Sequence, residues 1–117
     1  MALNWDHGPL AEGLRCYRNR EFFETHEHWE SVWLRAAEPE KKFLQALIQI
    51  TAAFHHYQRG NRVGAASLLR AAQRKLDSYP ATFGGLNVEA IQQSVCAWLS
   101  ALNTKEPAPA LPFPTIR

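Results

Sequence analysis

The sequence predicts an all-α fold, a compact bundle of about five helices followed by an extended proline-rich C-terminal tail. Three observations predict it. Apolar residues recur at helical spacing along most of the 117 residues,. No stretch sustains the strict alternation of a half-buried strand. Proline, glycine and asparagine fall between the periodic stretches, where short helix–helix connections need them.

The first helix is expected from about Pro9 to Arg18. Pro9 suits a first helical turn, and Leu10, Leu14 and Tyr17 form one stripe,. The second runs from about Glu21 to Ala37, and Pro39 ends that region and can open the third, about Glu40 to Arg59,. Gly60 suits a left-handed residue after the third helix, and Asn61 suits the N-cap of the fourth,. The fourth runs from about Val63 to Ser78, with Ala65, Leu68, Leu69, Ala72 and Leu76 inward, and Tyr79-Pro80 stops it. Gly84-Gly85 is expected as a loop. Leu86-Asn87 marks the start of the fifth helix, with Leu86 placed to staple onto Ile91,. That helix runs to about Leu102 and should bury Val88, Ile91, Val95, Leu99 and Leu102. Residues 1–103 are therefore expected as one helical domain and 104–117 as the tail. Pro107, Pro109, Pro112 and Pro114 forbid helix there, while Leu111, Phe113 and Ile116 could dock along a groove of this chain or of a neighbour,.

Composition limits the functions to consider. An apolar share of 46% and a charged share of 21% are ordinary for a folded domain,. Four Trp and six Phe make an aromatic-rich core the expectation. No apolar run approaches the roughly 18 residues of a membrane span, so no membrane partner is expected. Asp6 and Glu12 stand where a secretory leader would need an apolar stretch,. Cys16 and Cys96 belong to no CxxC pair and are expected as reduced, buried thiols of a cytoplasmic protein,. A formal net charge of +2 makes a weak case for nucleic acid, although Arg59, Arg62, Arg70, Arg74 and Lys75 could form a basic face along the fourth helix,.

The chemistry is concentrated in Glu24-Thr25-His26-Glu27-His28-Trp29-Glu30-Ser31-Val32-Trp33. At roughly 100° per helical residue, Phe22, His26, Trp29 and Trp33 share one face opposite Glu24. Glu30 and Glu27 lie along its border, and Glu24 and His28 turn to solvent. His26 and Glu30 are one turn apart, so the run reads H-E-x-x-E, a carboxylate variant of the metal-binding H-E-x-x-H helix. A divalent ion such as zinc or manganese could take a His26 nitrogen and a Glu30 oxygen, with Glu27 as third ligand or as the base that activates water. A plain buried His26–Glu30 pair would satisfy both groups equally well.

The third helix could supply partners. Its circumference is mostly apolar, interrupted by a polar stripe of Gln45, Gln49 and His56 with Ala52 between them. His55 falls among Leu44, Ile48 and Thr51. Either the stripe is the solvent side of the helix, or it faces His26 and Glu30 across a polar pocket between antiparallel neighbours. In the second case Gln49 would hold a substrate, a water or Glu30, and His56 or His55 would add a ligand or base.

Asn19-x-Glu21-Phe22-Phe23-Glu24-x-His26-Glu27-x-Trp29-Glu30-x-x-Trp33, then Leu47-Ile48-Gln49, Ala52-Ala53-x-His55-His56 and Arg59-Gly60-Asn61-x-x-Gly64-Ala65, resembles the bacterial and archaeal "domain of unknown function 309" family in order and spacing. The likeness spans about Tyr17 to Tyr79. It implies a compact all-helical domain. Family members have sometimes been labelled predicted metal-dependent hydrolases, so the resemblance also implies His26, Glu27, Glu30, Gln49 and His55 or His56 as site positions. Two functional expectations follow. One is a small metal-dependent hydrolase acting on an unidentified small molecule. The other is a non-catalytic helical interaction or self-associating domain, a homo-oligomer, in which Ala53–Ala72 looks like one tetratricopeptide hairpin.

Overall fold

The structure, a computed structural model, describes residues 3–104 and 111–117. Five helices are present among these: α1 (Gly8–Arg18), α2 (Phe22–Trp33), α3 (Glu40–Gln58), α4 (Arg62–Leu76) and α5 (Val88–Leu102). The all-α bundle stands. Helix α3 is the central element, packed on α2 at one side and most extensively on α4 at the other. Its Phe43, Leu44, Ala46, Leu47, Ile50, Ala53 and Phe54 are all fully buried. A helix apolar around most of its circumference has no other stable position. No helix of the described residues is long and apolar enough to cross a membrane.

Local chemistry sets the junctions. Helix α1 ends in Asn19 and then Arg20, which adopts φ 62°, a left-handed conformation more usual for glycine,. The Arg20 amide donates to Tyr17 O, the Glu21 amide to Cys16 O, and Gln58 Nε2 donates to the Arg20 carbonyl at 3.2 Å. Those bonds satisfy the helix end and hold a strained residue. Gly60 does the same after α3 at φ 83°, as its sequence position suggested. Asn61 caps α4 by accepting from the Gly64 amide at 2.8 Å, and Asn87 caps α5 by accepting from the Ala90 amide at 2.9 Å.

Several expectations need correction. Helix α2 stops at Trp33 rather than near Ala37. Residues 34–39 turn the chain towards α3. Gly84-Gly85 is more than a loop: it joins a two-residue antiparallel ladder, Thr82–Phe83 (β1) with Leu86–Asn87 (β2). Both glycines have positive φ, 59° and 81°, the requirement of a tight hairpin turn,. Leu99 and Leu102 are only half-buried, whereas Trp98 is 1% exposed and anchors α5. Cys96 is exposed, while Cys16 is buried.

Of the tail, Pro107 and Pro109 lie outside the described residues. Residues 111–117 have no helix or strand and pack on the helices of their own chain, with Pro114 and Ile116 buried. The Tyr17 hydroxyl donates to Pro114 O at 2.6 Å, and Trp98 Nε1 donates to Pro112 O at 2.9 Å.

Candidate functional site

The core-facing line of α2 is Phe22, Thr25 and Trp29, all buried. Thr25 is the unexpected member. Its hydroxyl donates to the Glu21 carbonyl at 2.9 Å, which lets a polar residue lie at zero exposure,. Once that line faces the core, the adjacent stripe of His26, Glu30 and Trp33 falls against α3. The stripe of α3 it meets is Gln45, Ile48, Gln49 and Ala52, and Leu68 of α4 closes the floor. These eight residues line a cavity of about 260 Å³.

Within it, His26 Nε2 lies 3.4 Å from Glu30 Oε2. The two side chains are 35% and 41% exposed, so the pair is a half-solvated one and not the buried pair considered above. Among the described residues, three buried side-chain polar atoms have no hydrogen-bond partner: Trp33 Nε1, Gln49 Oε1 and Gln92 Oε1. Two of the three belong to this cavity. Native proteins pair nearly all such atoms, and an orphan costs roughly 1–3 kcal/mol, so their coincidence here marks the place. Lys41, outside the lining, places Nζ 5.1 Å from the centre of the Trp33 ring,.

The remaining residues singled out from the sequence lie elsewhere. Glu27 is exposed and lines no part of the cavity. His56 is also absent from the lining: its Nδ1 is 3.3 Å from Asn61 Nδ2, in the turn between α3 and α4. His55 packs against Phe23, ring centres 5.8 Å apart. Glu24 faces solvent, but His28 is half-buried. Among the described residues no group of three or more His, Cys, Asp or Glu side chains could hold a metal ion. A catalytic zinc site takes three protein ligands. His26 and Glu30 supply two from one helix, and His56 is a turn too far along α3 to join them. The donor set does not fit the zinc centre of a metal-dependent hydrolase.

Other cavities carry less chemistry. One, of about 580 Å³, lies between α4 and α5, lined by Arg62, Arg70, Cys96 and Leu99 among others. None of its lining side chains has an unpaired buried polar atom.

The sequence missed Trp33 and Leu68 as site residues, because both scored only as apolar stripe positions. Trp33 could have been found from its indole N–H, a donor that a buried Trp must place somewhere.

A family model described as a domain of unknown function (DUF309) matches residues 10–68, just over half of the chain. All eight cavity residues fall inside that span, while α5 and the 111–117 segment fall outside it. No curated protein matches the chain.

Proposed function

The chain belongs to the DUF309 family, whose description carries no activity, and from that premise we propose that its function is to bind a small polar molecule between α2 and α3. The observation that carries this reading is the pair of unpartnered buried groups, the Trp33 indole N–H and the Gln49 carboxamide oxygen, in one cavity beside His26 and Glu30. One is a donor and the other an acceptor. The molecule that suits them offers an acceptor to Trp33 and a donor to Gln49, with a polar group towards Glu30 and His26. Ile48, Ala52 and Leu68 favour a compact apolar body. Both orphan atoms are covered by protein, so binding requires a side-chain shift, for which the half-exposed Gln49 is the natural mover. Recovering two missing hydrogen bonds makes that shift favourable. The order of small pockets, apolar with a few convergent polar groups, is that of ligand sites in helical bundles.

The test is a thermal-shift screen of untagged protein against small amides, amines and carboxylic acids, repeated on Gln49→Leu. The expected result is at least one compound that raises the melting temperature of the wild type and leaves Gln49→Leu unmoved. A hit that stabilises both equally, or no hit at all, overturns the reading.

A further inference from the structure

We propose that the molecule held between α2 and α3 is a small protonated amine that also carries a neutral oxygen, an amino alcohol or amino amide on a short apolar body. The proposal rests on the reading of that cavity as a ligand site and names the class of its ligand. The charge of the lining carries it. Of the eight lining residues, Glu30 alone bears a full charge whenever His26 is neutral, and no lysine or arginine is among them. Gln45 and Gln49 are uncharged amides, and most of the remaining wall is apolar. A carboxylate or phosphate would enter against Glu30 with no cation in the wall to answer it, and an unanswered charge in a partly apolar site is costly. An ammonium meets the opposite sign.

The hydrogen-bonding groups agree. Gln49 Oε1 is a buried acceptor without a partner. An ammonium brings three donors, enough for Gln49 and the Glu30 carboxylate together. Trp33 Nε1 is a buried donor without a partner, and it needs an acceptor, which an ammonium lacks,. The oxygen of the ligand supplies that acceptor, and a neutral oxygen does so without adding a second negative charge beside Glu30. The cavity of about 260 Å³ lies below the roughly 300–1,000 Å³ of sites for drug-sized molecules, so the apolar body is short,. The Trp33 ring also attracts cations: Lys41 Nζ, outside the lining, lies 5.1 Å from its centre,. That ammonium opposes a second one nearby. Removing the Glu30 charge and removing the Lys41 charge therefore shift the binding of an amine in opposite directions. An anionic ligand would reverse both signs, and a neutral one would be indifferent to Lys41.

The experiment is calorimetry on the full chain at pH 8, above the ordinary histidine range. Three compounds share one carbon body: leucinol, with an ammonium and a hydroxyl; leucine, with an ammonium and a carboxylate; and 4-methylpentan-1-ol, with the hydroxyl alone. Leucinol is expected to bind at least about tenfold tighter than the other two, the value of a charge-assisted hydrogen bond. Glu30→Gln should weaken leucinol by about tenfold or more, and Lys41→Gln should strengthen it about two- to fivefold. Should circular dichroism show that Glu30→Gln is not helical, the sign of the Lys41→Gln effect decides. Leucine or the plain alcohol binding as tightly as leucinol, and losing that binding in Gln49→Leu, overturns the amine class and leaves the site standing. A Lys41→Gln variant that binds leucinol no tighter than the wild type also overturns the class. If none of the three binds, the class falls, and the site falls with it only if the thermal-shift screen is empty as well.

Discussion

The Trp29 indole occupies the space that a side chain at Gly13 would need. A Cβ built on Gly13 would overlap the Trp29 ring at Nε1 and Cδ1. Trp29 is fully buried, its Nε1 donates to the Leu10 carbonyl at 3.1 Å, and its ring meets Trp5 edge-on at 5.7 Å. The glycine lets α1 and α2 approach until an indole fills the seam, and this contact fixes which face of α2 is left for the site. Gly13→Ala should therefore destabilise the protein by about 2 kcal/mol, the overpacking cost prevailing over the gain of up to ~1 kcal/mol in helix propensity. Urea denaturation would measure it. A neutral or stabilising result would show that Trp29 can move aside.

The His26–Glu30 pair is half-solvated, so it adds little to stability. His26→Gln and Glu30→Gln should each change the unfolding free energy by less than about 1 kcal/mol. Losses of about 3–5 kcal/mol would instead indicate a desolvated pair. If the pair contacts the bound molecule, both variants lose the thermal shift of the wild type while their own melting temperatures barely change.

Gln49→Leu removes a buried acceptor that has no partner. Its unfolding free energy should equal the wild type's or exceed it by up to about 1 kcal/mol, since the orphan's desolvation cost is relieved. A clear destabilisation in urea would mean that Gln49 has a structural partner.

Asn61 caps α4 and also meets His56 Nδ1 at 3.3 Å. Asn61→Ala should cost about 1 kcal/mol, the usual value of a lost N-cap. His56→Ala should cost less, because the cap bond to Gly64 survives it. The order of the two midpoints in urea checks this.

Burial drives the Tyr17 hydroxyl far above the ordinary tyrosine range, and Tyr79 is raised too, by burial first and then by the nearby Glu38 and Glu40 carboxylates. A folded-state value above the unfolded one means that the native protein holds its proton where the unfolded chain releases it. The stabilisation is complete below about pH 10 and is lost as the pH climbs beyond. Unfolding free energy should fall steadily above that pH, and Tyr17→Phe should flatten the fall. The variant should also lose about 1 kcal/mol at neutral pH with the bond to Pro114,. Denaturant titrations at several alkaline pH values would show both effects.

Much of the bundle is legible in the sequence because its signals are local. The Asn61 and Asn87 caps, the Gly60 helix stop and the apolar stripes of α1, α3 and α4 all act within a turn or two of their own residues. His26 and Glu30 are likewise neighbours by helical period, one turn apart on one side of α2. Gly84-Gly85 was legible as a loop, but the hairpin it closes was not, because strands of two residues are too short to register as a pattern.

What the sequence by itself determined is periodicity and punctuation: five helices, their order, and a polar stripe on each of α2 and α3. Tertiary structure alone decided which polar residues meet. Trp29 against Gly13 sets the approach of α1 and α2, and the rotation of α2 then brings His26, Glu30 and Trp33 to Gln45 and Gln49. His56 is left with Asn61 instead. The tail's position in a groove built from α1, α2, α3 and α5 was beyond local signals too. The physical reason is the same in each case. Helical spacing fixes angles around one axis, whereas the pairing of faces depends on side-chain volumes contributed by residues far apart in the chain.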